Sequence, residues 1–311
     1  MNESTQFEVI KGHGTGNDFL LIPDPEAAVN LTDDLVRSLA DRHRGIGADG
    51  VIRIATAGVL VRKGVLACLP DGVGDEDWFM DYRNADGSVA EMCGNGVRVF
   101  AHALSALSLT TPAYRNADGT WAVGTRAGRR DVRIHSATAT DAEVSVDMGV
   151  PEIMGRSGGA LDGVWYDGVG VDMGNPHLAC VVPGLTPAGL AELRVDLRPD
   201  YDRTFFPAGV NLEILTALDN GRVHMRVHER GVGETLSCGT GTVAAAVAAL
   251  SDRFNDQARV REAWQETVHV AVPGGDVAVT VGADEDGQQI PATLRGPSRL
   301  VFTTTVTGAA L

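Results

Sequence analysis

The chain has 311 residues, with 41 acidic against 26 basic side chains and a formal charge of −15. Its length exceeds what one hydrophobic core usually fills, which points to two domains. The charge excludes nucleic acid and anionic membranes as partners, and no apolar run approaches the roughly 20 residues that span a bilayer.

In chain order, short β-type runs dominate. They cover Phe19 to Ile22, Val132 to Ile134, Val144 to Val146, Val210 to Leu215 and Val268 to Val272, separated by Gly, Asp and Asn turn signals. Helical periodicity is rarer and falls at Asp33 to His43, Asn95 to Leu107, Thr186 to Leu193 and Thr240 to Phe254. The second and fourth helices contain VRVFAHAL and TVAAAVAAL, apolar enough to be buried on nearly every side. A buried helix wrapped by strands is therefore expected twice. The glycine-rich stretch 56–77 reads as a surface excursion holding Cys68. The start, MNESTQFEVIKGHG, has no basic region followed by an apolar one, so a cytoplasmic location is expected.

Two internal matches support a duplicated plan. DYRNADGSVAEMCGNGVRVFAHAL lies over RVHERGVGETLSCGTGTVAAAVAA without a gap when Cys93 is set on Cys238, and Asn84 and Glu229 each fall nine residues before their cysteine. GNDFLLI from Gly16 lies more faintly over GNPHLACVV from Gly174. A third echo, YRNADGT from Tyr114, has no cysteine behind it; a turn at Asn116 to Gly119 explains it and it carries no function.

Four cysteines occur, at 68, 93, 180 and 238, and none forms a C-x-x-C pair, so no metal site is expected. Cys180, in LACVV, reads as a small core hydrophobe, and so does Cys68. Cys93 and Cys238 differ in opening helices with C-G-[NT]-G. A helix start offers unpaired N–H groups and a positive dipole end, which favour a thiolate, and the glycines let backbone N–H groups approach a ligand. Two such starts could hold one carboxylate and set a thiol on each side of its α-carbon. Inversion of a carbon centre by proton transfer needs such a pair: a base on one face and an acid on the other. The carbanion's charge, spread into the carboxylate, would rest on the helix N–H groups. A pyridoxal enzyme needs a Schiff-base lysine, but Lys11 sits in a glycine turn and Lys63 in the 56–77 stretch, so no cofactor is expected.

The blocks KGHGTGNDF, RHRGIGADG, RNADGSVAEMCGNGVR, GNPH, GVNLEI and HERGVGETLSCGTGTVAAA follow one another from Lys11 to Ala246. In kind and order they resemble the diaminopimelate epimerases. The resemblance implies an α/β fold of the α+β type, with two pseudo-symmetric domains and the active site in the cleft between them. Each domain would be a largely antiparallel sheet around a buried central helix. The expected division is 1–147, with 295–311 returning to it, and 148–294. The resemblance makes Cys93 and Cys238 the acid–base pair, with His177 tuning the former and Glu229 the latter. Gly94, Asn95, Gly239 and Thr240 would hold the reacting carboxylate, and Asn17, Asn84, Asn175, Asn211, Glu229 and Arg230 the rest of the substrate. The reaction implied is conversion of LL-2,6-diaminopimelate to the meso form, in the synthesis of lysine and peptidoglycan precursors. The sequence departs from the family at Gly50, where some members carry a glutamine ligand, and at Phe302, where a tyrosine is common near an expected homodimer contact.

Other readings remain open on the residues alone. A related two-cysteine racemase could act on another amino acid. A cysteine hydrolase, with Cys238 as nucleophile and His177 as base, leaves the second cysteine unused. A non-catalytic amino-acid-binding protein needs no thiol at all.

Overall fold

The computed structural model describes residues 6–110, 116–251 and 262–307. The fold is mixed α/β, mostly strands with few helices. The chain divides into two compact units, one of Met1–Val146 with Pro297–Leu311, the other of Asp147–Gly296.

In the first unit β1 (Gln6–Gly14) turns back antiparallel as β2 (Asn17–Pro23), which runs parallel to β3 (Gly50–Thr56). Next to β3, antiparallel, is β4 (Trp78–Asn84). From there β5 (Trp121–Thr125), β6 (Gly128–Ala137) and β7 (Asp141–Asp147) extend the pairing. The last strand, β17 (Thr293–Thr307), closes against β1 with a register shift between Lys11 and Gly12. Its alternating burial from Thr293 to Leu300 fits a strand with one face inward.

Helix α1 (Asp33–Ala40) starts where the Thr32 side chain accepts from the Leu35 N–H, with Asp33 and Asp34 at the positive end. It buries Val36 and Leu39 with Val9, Leu20, Ile22 and Val51. The helix stops before the expected His43. Asp41 leaves the helical conformation, and its carboxylate takes the N–H groups of His43 and Arg44 at 2.7 and 2.9 Å, a local alternative to continuing the helix.

The stretch 56–77 is not merely a surface excursion. It contains α2 (Ala57–Arg62), and Ala57, Leu60, Leu66 and Val73 pack with Ala55 and Phe79 as a small core of their own. Its glycines and charges masked that spacing. Cys68, taken above as a core hydrophobe, is exposed, whereas Cys180 is fully buried. The Asn116–Gly119 segment is a tight turn, with the Gly119 N–H on the Asn116 carbonyl and Gly119 at φ +84°; Tyr114 lies outside the described residues.

Helix α3 (Gly94–Ala106) is buried along its whole course from Gly94 to Leu104, and packs on β1, β2, β3 and β6. Each residue removed from water there adds on the order of 1 kcal/mol or more for its apolar part, and its backbone groups are satisfied internally.

In the second unit β8 (Glu152–Leu161) and β9 (Val164–Asp172) form a hairpin, and β9 pairs antiparallel with β10 (Pro176–Val182). Strand β12 (Asn211–Thr216) lies parallel to β10, and β13 (Arg222–Glu229) antiparallel to β12. The two-residue β11 (Asp200–Tyr201) joins β8, and β14 (Gly233–Thr235) folds back on β13. Beyond β13 come β15 (Trp264–Val272), β16 (Gly275–Ala283) and the first residues of β17. Helix α4 (Pro187–Glu192) is capped by Thr186. Helix α5 (Gly239–Ala249) is buried almost throughout and packs on β9, β10, β12, β13, β15 and β16. Its expected continuation toward Phe254 runs into 252–261, outside the described residues.

Candidate active site

Cys93 is the N-cap of α3, with φ −145° and ψ 117°, and its carbonyl takes the Val97 N–H at 2.8 Å. The N–H groups of Gly94, Asn95 and Gly96 thus fall in the first turn, where no residue of the helix can accept from them. The Cys93 thiol, half-buried, donates to Asn17 Oδ1 at 3.5 Å, and Asn95 Nδ2 donates to the same oxygen at 3.3 Å. On its other side Asn17 donates through Nδ2 to Asp49 at 2.8 Å, which orients the amide so that its oxygen meets the thiol. Asp49 is held in turn by Arg42, which also grips Asp18. Half-burial raises the Asp18 carboxyl, but hydrogen bonds from Arg42 and Lys11 lower it more, well below the usual carboxylate range. Asn84 closes β4, where its Nδ2 donates to Ser88 at 2.9 Å, and the Ala85 N–H reaches the Asp49 carbonyl. Asn17, Asn84, Cys93 and Asn95 are therefore brought together in one neighbourhood. Gly50 pairs with Asn84, and a Cβ there would meet the Tyr82 ring at 2.4 Å, so position 50 has no room for a side chain.

One buried charge in this unit is given no role by the sequence motifs. Arg98, one turn below the thiol, is fully buried and donates to the Pro297 carbonyl at 3.3 Å and to Thr15 Oγ1 at 3.2 Å. Among the described residues its NH1 has no hydrogen-bond partner. Burial lowers its pKa to about 10, against the opposing pull of Cys93 and Glu143, so the guanidinium is charged at neutral pH. An arginine inside VRVFAHAL was the available signal.

Cys238 caps α5 in the same manner, with φ −122° and ψ 116°, and its carbonyl takes the Thr242 N–H at 2.9 Å. Its sulfur lies 3.4 Å from Thr240 Oγ1. Burial pushes this thiol up, and the carboxyl groups of Glu229 and Glu213 push it further, with Thr240 and the Gly241 N–H pulling weakly the other way. Glu229 ends β13 and accepts from Thr235 Oγ1 at 2.5 Å. The Arg230 N–H donates to Asn211 Oδ1 at 2.9 Å, Asn211 Nδ2 to the Pro176 carbonyl at 3.0 Å, and Arg230 NH1 to the Ala208 carbonyl. Asn175 sits at the β9–β10 turn, where its carbonyl takes the Met173 N–H. Asn175, His177, Asn211, Glu229, Arg230 and Cys238 are thus brought into one neighbourhood of the second unit.

Here too a residue went unnoticed. His177 Nδ1 lies 2.6 Å from Glu213 Oε1, both side chains wholly buried. Glu213 stands in GVNLEI, two residues beyond Asn211. A Cβ on Gly241 would meet Glu213 Oε1 at 2.6 Å, so the second glycine of C-G-T-G lets this carboxyl sit against the first turn of α5. No group of three or more His, Cys, Asp or Glu side chains gathers as a metal site among the described residues. No helix among them is long and apolar enough to cross a membrane.

The fold is that of epimerases and their structural kin. A hydroxyproline epimerase from Agrobacterium vitis superposes with a TM-score of 0.60 at 13% identity, over 99% of this chain and 94% of that one. A phenazine biosynthesis protein of the PhzF family from Bacillus anthracis gives 0.59 at 13%, over 97% and 99%. Sequence narrows the class further. The diaminopimelate epimerase family model matches residues 9–154 and 169–301. The diaminopimelate epimerase of Rhodococcus jostii is 54% identical over 95% of this chain and 96% of its own, and that of Mycobacterium ulcerans 53% over 94% and 93%. The chain belongs to the diaminopimelate epimerase family and is an isomerase.

Proposed function

We propose that the enzyme converts LL-2,6-diaminopimelate to the meso form by a two-base mechanism, in the synthesis of lysine and peptidoglycan precursors. The observation that carries this reading is that both cysteines of a diaminopimelate epimerase family member cap buried helices, each with small residues in the first turn. The two units act as pseudo-symmetric domains, 1–147 with 295–311 and 148–294, each built around its central helix, with substrate in the cleft between them. The N–H groups of Gly94, Asn95, Gly239 and Thr240 hold the reacting carboxylate. Asn17, Asn84, Asn175, Asn211, Glu229 and Arg230 hold the distal amino-acid end.

In this reading the Cys93 thiolate takes the α-proton and becomes a thiol. Charge moves into the carboxylate, and the Cys238 thiol returns a proton to the opposite face, ending as a thiolate. His177 and Glu229 tune the pair. Buried Arg98 favours negative charge at Cys93, while burial, Glu229 and Glu213 favour the neutral thiol at Cys238. The enzyme works without cofactor, in the cytoplasm, as a homodimer that uses the exposed Val301 and Phe302 of β17.

Incubation with LL-diaminopimelate in deuterated water, without added cofactor, tests the reading. Meso product carrying deuterium at one α-carbon is expected. Turnover only after pyridoxal phosphate is added overturns it. Burst release from an ester without exchange marks a hydrolase, and inversion of a different amino acid alone marks a related racemase.

A further inference from the structure

His177 and Glu213 lie on neighbouring parallel strands, with His177 opposite Asn211 and Glu213 two residues further along. Their side chains meet at 2.6 Å through Nδ1 and Oε1. Both side chains are fully buried. Across the ring, His177 Nε2 is buried with no hydrogen-bond partner among the described residues, and Glu213 Oε2 likewise. An ionised carboxylate only accepts, so it requires the proton of a neutral imidazole to sit on Nδ1, which leaves the lone pair on Nε2.

We propose that Glu213 is a positioning residue that fixes the tautomer of His177, so that Nε2 meets the reacting groups as an acceptor. This rests on the epimerase reading in which His177 tunes a thiol, and it adds to that reading what sets the ring's polarity. When the pair takes up one more proton along its hydrogen bond, two arrangements exist. Either the imidazole is doubly protonated beside a carboxylate, or a carboxylic acid donates to Nδ1 and the ring proton moves to Nε2. Both make Nε2 a donor. Glu213 therefore converts its own titration into a reversal of Nε2.

The surroundings place that reversal near neutrality. Burial raises the Glu213 carboxyl and His177 lowers it, with Glu229 raising it again, to a pKa of about 7. The groups facing it are His177 and Cys180 from β10, Glu229 from β13 and Cys238 from the start of α5. Helix α4 contributes only the exposed Glu192. The carboxyl can occupy this place because Gly241 has no Cβ.

Nitrogen NMR of the whole protein, labelled at histidine and assigned through His177→Gln, reads the tautomer directly. At pH 8 the expected state has Nδ1 protonated and Nε2 bare, and at pH 6 Nε2 carries a proton, as it does in either protonated arrangement of the pair. A protonated Nε2 at pH 8 overturns the proposal. Kinetics give a second arm. Glu213→Gln should lower kcat by roughly 100-fold with KM changed less than about threefold, and abolish the acidic limb of kcat/KM near pH 7. Glu213→Asp should recover part of the rate. A Glu213→Gln enzyme within about twofold of the parent, with its limb in place, also overturns it. The NMR arm reads the parent protein and needs no substrate, so failure of the epimerase reading would show separately, as absent inversion with the tautomer intact.

Discussion

Two helix starts of like backbone geometry carry opposite electrical surroundings. Behind Cys93 the fifth residue along the helix is Arg98, and the same position behind Cys238 is Val243. Beside the first helix the second glycine of the motif, Gly96, faces Ile52 and Phe19 at ordinary contact distance. Beside the second, the corresponding Gly241 faces Glu213, itself bonded to His177. The strand register makes the correspondence tight, since Phe19 pairs across to Gly50 as His177 does to Asn211. Asn84 ends its strand on one side, Glu229 on the other. The frame places both sulfurs at the N-caps of buried helices. What differs is the buried charge: the Arg98 cation near Cys93, carboxyl groups near Cys238. The proposed two-base inversion needs one sulfur ionised and one protonated, and buried charge of opposite sign is a way to favour that difference without disturbing the backbone.

The largest expected effect comes from removing either sulfur. Cys93→Ala and Cys238→Ala should each lose inversion by roughly 10³-fold or more, since acid–base groups of this kind contribute about 10²–10⁴. The folded state should be retained in both, as circular dichroism would report. Full turnover by either variant would end the comparison, because one thiol would then suffice.

Much of this contrast was already written in the chain. Setting Cys93 on Cys238 aligns Arg98 with Val243 and Asn84 with Glu229, and the fainter repeat aligns Phe19 with His177. Four of the expected strands fall inside longer observed ones, the run from Val210 starts one residue before β12, and the two apolar helices are buried as their composition requires. Glu213 was not legible, because a single glutamate between Leu212 and Ile214 has the pattern of an exposed strand position. Only the parallel pairing of β10 and β12, a contact between distant segments, reveals that it points inward at His177. The helix at Ala57 was hidden for a different reason. Six residues give less than two turns of periodicity, and burial of Leu60 against Leu66 and Phe79 decides it instead. Asp41 ended α1 early through a side-chain turn that helical periodicity does not register.

A smaller effect sharpens the difference between the sulfurs. With limiting iodoacetamide at pH 7.5, peptide mapping should find exposed Cys68 and half-buried Cys93 modified before Cys238, with Cys180 equally protected. Cys180 is held back by burial and by Glu213, Cys238 by burial, Glu229 and Glu213. Arg98→Met keeps an apolar body in the helix while removing the cation. It should slow modification of Cys93 about tenfold, since the thiolate loses its nearby cation, and leave Cys238 unchanged. Equal slowing at both sites would mean that Arg98 acts through packing rather than charge.

The smallest expected effect concerns stability and runs against the loss of function. The folded protein raises Glu213 from an ordinary carboxyl value to about 7, through burial opposed by His177. Between the unfolded value near 4.3 and about 7, the folded state therefore binds more protons than the unfolded chain. Its stability from this group is full below the unfolded pKa and declines as pH rises through the folded one. Glutamine has no such titration. Glu213→Gln should thus gain stability relative to the parent between pH 5 and pH 8, by on the order of 2 kcal/mol, read as a few degrees in Tm. A Tm difference that stays constant across that range would show that Glu213 is not titrating against burial. A rising one, in a variant that has lost turnover, would show that the buried acid beside Cys238 is retained for chemistry at the expense of stability.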